Sequence, residues 1–220
     1  MSEIQAMIFD LDGVLTDTAE HHYLGWQRLA QEQGIALDRQ AGDKLRGLTR
    51  RASLLAVLGE RRASEEEIQQ MMERKNRYYI QSLGSINDTA VLPGVIRLLS
   101  GARSLGIRLA VGSASKNAKT VIERLGIADY FDAVADGHTV SVGKPAPDLF
   151  LAVAGMLGVA PGSAVVFEDA QSGVAAALAG GFAVVGLGPP DRVGAAHVIY
   201  PDLSGVTVEK VLADVAAVVT

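Results

Sequence analysis

The sequence predicts an α/β fold: a doubly wound, mostly parallel sheet interrupted after its first strand by a helical insert. Three observations predict it. Short apolar runs recur at residues 4–9, 107–112, 164–167 and 182–187 ("IQAMIF", "IRLAVG", "AVVF", "FAVVGL"), separated by helix-like stretches. Such runs are continuously apolar rather than alternating, as strands covered by helices on both faces must be. Residues 19–90, by contrast, hold no strand-like run and carry Glu, Gln, Arg and Lys at helical spacing, as in "SEEEIQQMMERKNRYYIQSL".

The elements follow in order. The first strand ends in Asp10-Leu11-Asp12-Gly13. The helical insert then runs until Pro93-Gly94 restarts the strand and helix pattern, which divides the chain into a core of residues 1–15 and 93–220 and a cap of residues 16–92. The second strand ends in Ser113-Ala114-Ser115-Lys116-Asn117 before a helix "AKTVIERLG". In the loop "SVGKPAPDLF", Lys144 precedes Pro145, and Pro145 or Pro147 suits the start of a helix. The third apolar strand ends in Glu168-Asp169. Residues 173–190 are uncharged for nearly a bilayer's thickness. Gly180-Gly181 in the middle and Pro189-Pro190 at the end instead predict a small helix, a turn and the strand "FAVVGL". The tail "VTVEKVLADVAAVV" reads as a closing amphipathic helix.

Composition narrows the function. With 220 residues, 49% hydrophobic and 20% charged, the chain can bury a full core in one or two domains. A net charge of −5 argues against a broad basic face for a phosphate backbone, so no nucleic-acid partner is expected. Zero cysteines exclude disulfides, thiolate ligands and a cysteine nucleophile, and suit a cytoplasmic setting. The start "MSEIQAMIF" lacks the pattern of a signal peptide, so neither export nor membrane insertion is expected.

In doubly wound sheets, ligands bind beyond the carboxyl ends of the strands, where these polar loops converge. Taken singly, each has a plainer reading. Asp10 and Asp12 suit a turn, Glu168-Asp169 and Ser113–Asn117 suit helix starts, and a lone lysine is ordinarily solvated. Together they supply what phosphoryl transfer requires. A carboxylate nucleophile is repelled by a phosphoryl group unless cations and N–H donors neutralise its oxygens. Asp10, Glu168 and Asp169 offer hard oxygen ligands for Mg²⁺, while Ser113, its neighbouring amides and Lys144 can hold the transferring group. Asp10 would attack phosphorus and Asp12 would protonate the leaving oxygen.

Asp10-x-Asp12-Gly13, Ser113, Lys144-Pro145 and Glu168-Asp169 resemble the haloacid dehalogenase superfamily over nearly the whole chain. That resemblance implies a Rossmann-like core with a helical cap closing over the site. The stretches "FDLDGVLTDTAEHHY", "LRGLTRRASL", "RKNRYY", "GSASKNA" and "VVFEDAQSGVAAA" are similar, more narrowly, to the β-phosphoglucomutases. This implies interconversion of β-glucose 1-phosphate and glucose 6-phosphate with one Mg²⁺ per chain, β-glucose 1,6-bisphosphate as activator and intermediate, and a monomer; a sugar-phosphate phosphatase of the same fold and a noncatalytic sugar-phosphate-binding regulator are the alternatives.

By position, Mg²⁺ would be held by Asp10, Glu168, Asp169 and the backbone carbonyl of Asp12. Arg50, Ser115, Lys116 and Asn117 would grip the nontransferring phosphate beside Ala114. Gly47 and Ser53 would lie against the sugar, and Thr18, His22 and Lys75 would position Asp12 or the hinge. Arg46 would also contact substrate, although related mutases commonly carry lysine there, and a forked guanidinium is not a point charge. Without these core motifs "KLRGLTRRAS" would read as a solvated basic helix face. Two other readings fit poorly. "GHTVSVGK" has five residues rather than four between its glycines and Pro145 after the lysine, unlike a phosphate-binding loop. A response-regulator domain also phosphorylates an Asp but has no use for the helical insert or Asp12.

Overall fold

Alternate side chains of the first strand, β1 (Ala6–Phe9), go to opposite faces of the sheet. Met7 and Phe9 enter one apolar cluster and Ala6 and Ile8 another, and all four are fully buried. The same division runs through β2 (Arg108–Gly112), β4 (Ala164–Glu168) and β5 (Ala183–Leu187). Two three-residue strands, β3 (Ala133–Ala135) and β6 (Val198–Tyr200), complete the sheet in the order β3-β2-β1-β4-β5-β6, with every pairing parallel. The computed structural model describes residues 3–218, so position 219 of the expected closing helix lies outside it.

Helices cover both faces, as a parallel sheet requires. On the Met7/Phe9 side lie α5 (Val95–Ser104), α6 (Ala118–Arg124) and α10 (Val208–Val218). On the other side lie α7 (Asp148–Leu157) and α8 (Gln171–Ala179), with the short α9 (Pro190–Val193) beside them. Residues 173–190, read from sequence as helix, turn and strand, form α8, a glycine turn and β5. Among the described residues no helix is long and apolar enough to cross a membrane. The helix after Lys144 begins at Asp148, capped by Pro147.

Between β1 and β2 lie α1 (Ala19–Glu32), α2 (Arg39–Asp43), α3 (Arg50–Leu58) and α4 (Glu65–Ser82). Their stop and start signals are local: Ser64 and Glu67 form a reciprocal capping box at the head of α4, and Thr49 caps α3. These helices share an apolar cluster of their own, in which Trp26, Leu29 and Ala30 of α1 meet Leu54, Val57 and Leu58 of α3 and Ile68 and Met71 of α4. Leu54 is fully buried there. Leu54→Ala is therefore expected to cost about 2–5 kcal/mol by denaturant unfolding. Two chain segments join the insert to the sheet and pair with each other: Leu92 N–H donates to Leu15 O at 3.0 Å, and Thr16 Oγ1 to Ala90 O at 2.8 Å.

Candidate functional site

Two strand ends and one loop bring a charged cluster together at the carboxyl edge of the sheet. β1 delivers Asp10 and β4 delivers Glu168 and Asp169, because the two strands are hydrogen-bonded neighbours in register, Phe9 opposite Phe167. All three carboxylates are buried, and each offers an oxygen within 4.8 Å of the others. The loop after β3 brings in Lys144, whose Nζ donates to Asp10 at 2.5 Å and to Glu168 at 3.0 Å. Lys144 is thus buried in the cluster rather than solvated.

The electrostatics are unbalanced. Burial, then the neighbouring carboxylates, push Glu168 up to about 8 even though Lys144 pulls against them. Burial and Asp10 push Asp169 to about 6 against the pull of Arg46 and Arg192. Burial alone would lower the Lys144 ammonium, but Asp10 and Glu168 outweigh it and raise it. Although Lys144 and Arg46 each pair with part of the cluster, Glu168 and Asp169 both stay raised, and three buried acids offering hard oxygens only are the donor set that a small divalent cation takes. The residues therefore fit Mg²⁺.

Glycines allow this crowding. Gly13 has φ +84°, and a Cβ there would strike the Asp169 carboxylate; one at Gly173 would strike Glu168. Ser113, at the end of β2 and fully buried, accepts at Oγ from Ser115 N–H at 3.1 Å, which shapes the turn into α6.

Asp12 belongs to a second group. Its carboxyl accepts from Thr18 Oγ1, and His22 Nε2 stands 3.6 Å away. Burial, and then the Asp10 charge, raise Asp12 to about 7. His22 stacks on Tyr79 with ring centroids 3.9 Å apart and contacts Lys75 Nζ through Nδ1 at 2.6 Å. Burial and the Lys75 charge keep this imidazole neutral. Nε2, the ring nitrogen turned away from Lys75, is the one that faces Asp12.

A cavity with about 890 Å³ of atom-free space, partly open to solvent, joins the two groups. Asp10 and Asp12 line it from the sheet side, with Ala114, Ser115 and Lys116. His22, Arg46, Gly47, Arg50, Ser53 and Lys75 line it from the helical insert.

At this point the fold, the site and the sequence can be placed among known proteins. Residues 4–181 match the model of the haloacid dehalogenase-like hydrolases. The chain belongs to this family. It is 38% identical to a β-phosphoglucomutase of Bacillus subtilis (strain 168) over 210 residues, covering 94% of this chain and 93% of that one. It is 33% identical to a fructose-1-phosphate phosphatase of Escherichia coli (strain K12), over 81% of this chain and 94% of the other. The crystal structure of a β-phosphoglucomutase from Clostridium difficile superposes with a TM-score of 0.94 at 36% identity, covering 97% of this chain and 98% of that chain. The resemblance expected from the motifs is thereby shown, as is the α/β fold. Membership makes the chain an enzyme of a family that includes both mutases and phosphatases.

Most residues singled out from the sequence meet at this cavity. Six others do not line it: Lys144 joins Glu168 to Asp10, Asp169 pairs with Arg46, Ser113 Oγ accepts from Ser115 N–H and Thr18 donates to Asp12, while Asn117 Nδ2 donates to Asn76 Oδ1 at 3.0 Å. Arg46 lines the cavity, but its guanidinium is engaged by Asp169 at 2.9 Å and Asp43 at 3.2 Å. Asn76 was not singled out, although it also accepts from Arg50 Nη2 at 2.8 Å and so ties Arg50 to Asn117. The signal was present, since Asn76 follows Lys75 within "RKNRYY". An amide on a polar helix face nevertheless gives no hint of spanning 41 positions. Arg192, 3.8 Å from Asp169, lies in a segment with no motif at all.

Proposed function

We propose that this chain is a Mg²⁺-dependent phosphomutase that interconverts β-D-glucose 1-phosphate and glucose 6-phosphate through phospho-Asp10 and a β-glucose 1,6-bisphosphate intermediate. One observation carries the reading: the cavity has a second cationic pole. Arg50 stands at the head of α3, partly buried, with Asn76 as its hydrogen-bond partner. Among the described residues no carboxylate ion-pairs with it, and burial lowers its pKa with only the Tyr79 phenol pulling the other way. A partly desolvated guanidinium without a counter-ion favours an anion, and Ser115 and Lys116 line the same cavity. A phosphatase acting on one phosphate has no need of this pole. A mutase must grip one phosphate while the other reacts.

In this reading residues 16–92 form the cap domain, and each residue has one task. Asp10 attacks phosphorus; Asp12 protonates the departing sugar oxygen and later takes the proton of the attacking hydroxyl. Lys144 and Ser113 hold the transferring group, while Thr18, His22 and Lys75 fix the orientation of Asp12. Asp10, Glu168, Asp169 and the Asp12 carbonyl would hold Mg²⁺, which supplies charge neutralisation at the phosphoryl oxygens. Gly47 and Ser53 face the sugar.

Arg50→Ala is expected to slow mutase turnover by about 10²-fold or more, with little effect on hydrolysis of a small aryl phosphate that has no second anion. Steady-state rates on both substrates check this. The phosphatase alternative is favoured by the 33% identity to the fructose-1-phosphate phosphatase. Product identity decides between them: with β-glucose 1-phosphate, Mg²⁺ and a trace of the bisphosphate, glucose 6-phosphate supports the mutase and inorganic phosphate the phosphatase.

A further inference from the structure

The turn at Arg46-Gly47, between α2 and α3, lies directly on the segment that follows β4. Ser172, in the first turn of α8, donates from Oγ to the Arg46 carbonyl at 3.1 Å across 126 positions of sequence. Gly47 has φ +71°, and a Cβ there would strike Ser172 Oγ and crowd the Ala170 methyl, with the Glu168 carboxylate next behind. The Arg46 side chain meets Asp169 in the same place. On the far side of the turn, Thr49 packs so closely on Gly143, just before Lys144, that a Cβ at Gly143 would collide with it. The turn is therefore fitted over the carboxylates, and Ser172 is the uncharged group from the sheet side that holds its backbone.

We propose that Ser172 is a positioning residue whose hydroxyl holds the Arg46-Gly47 turn over phospho-Asp10, and that this hold decides whether the phosphoryl group passes to a sugar or to water. The proposal deepens the phosphomutase reading and rests on it for phospho-Asp10, the Asp12 base and the sugar acceptor. In hydrolysis, a water oxygen bonds to phosphorus as the bond from phosphorus to the Asp10 oxygen breaks. Asp10 leaves as carboxylate, Asp12 takes the proton of the water, and inorganic phosphate departs. Transfer to sugar is the same displacement with a sugar hydroxyl in place of water. Only exclusion of water separates the two outcomes, and a turn that lifts admits it.

The test compares the wild type with Ser172→Ala and Ser172→Thr, which keeps a hydroxyl. Phosphoenzyme is prepared with acetyl phosphate and Mg²⁺. Its lifetime is measured without sugar, and its partition between inorganic phosphate and bisphosphate with β-glucose 1-phosphate. Hydrogen exchange of residues 45–49 is followed separately in the metal-free protein. For Ser172→Ala, the lifetime is expected to fall and the hydrolysed fraction to rise by about fivefold, the scale of one neutral hydrogen bond. Faster exchange of the turn is expected alongside, with unfolding temperature unchanged and recovery in Ser172→Thr. If lifetime and exchange both match the wild type, the proposal is overturned. Should the wild type pass nothing to sugar, the mutase reading fails, while the lifetime and exchange results still decide the role of Ser172.

Discussion

Asp10→Asn is expected to abolish turnover of β-glucose 1-phosphate, by something on the order of 10⁶-fold, the scale found when the nucleophile of a covalent mechanism is removed. An amide oxygen is a far weaker nucleophile than a carboxylate and a poorer partner for a hard cation. The change is nearly isosteric, so β1 and its packing are preserved, and Lys144 retains Glu168 at 3.0 Å. Circular dichroism and unfolding temperature should therefore resemble the wild type while no phosphoprotein forms with acetyl phosphate. Full activity in a folded Asp10→Asn protein would remove the aspartyl-phosphate mechanism altogether.

Asp12→Asn is expected to lose 10²–10⁴-fold in sugar-phosphate turnover, the range typical of general acid-base catalysis. In the proposed mechanism Asp12 is protonated as phosphate leaves the sugar and ionised as the next hydroxyl attacks. Burial and the Asp10 charge place it near 7, where both forms are populated. Thr18 hydrogen-bonds that carboxyl and His22 Nε2 stands 3.6 Å from it, whereas Lys144 engages Asp10 and Glu168. The two carboxylates thus have separate partners suited to separate tasks. Acetyl phosphate has a leaving group that needs little protonation, so it should still phosphorylate Asp10 in this variant at a modest penalty. If both rates fall equally, Asp12 is not the proton shuttle and its place is that of a turn residue.

The sheet was legible because a strand covered on both faces must be apolar along its length, and β1, β2, β4 and β5 fall within two residues of the expected runs. β3 and β6 were not, since "AVA" and "VIY" span three residues each and pair on one side only. Their strand character comes from the neighbour, not from local preference. The charged cluster was legible because Asp10, Glu168-Asp169 and Lys144 each stand immediately after a strand or in a loop at one sheet edge, a position topology fixes. The direction of a side chain is not fixed that way. Arg46, expected against substrate, lines the cavity while its guanidinium engages Asp169, and the ties from Asn76 to Asn117 and from Ser172 to Arg46 depend on how the helical insert seats on the core. No periodicity in the chain encodes that seating.

The most direct test of phosphoryl transfer through Asp10 to a sugar is a chase. The protein is labelled with radioactive acetyl phosphate and Mg²⁺, freed of excess label, and mixed with unlabelled β-glucose 1-phosphate. Label is expected to leave the protein faster when sugar phosphate is present and to be recovered first in glucose 1,6-bisphosphate and then in glucose 6-phosphate. Label released only as inorganic phosphate, at a rate indifferent to the sugar phosphate, would contradict transfer to a sugar.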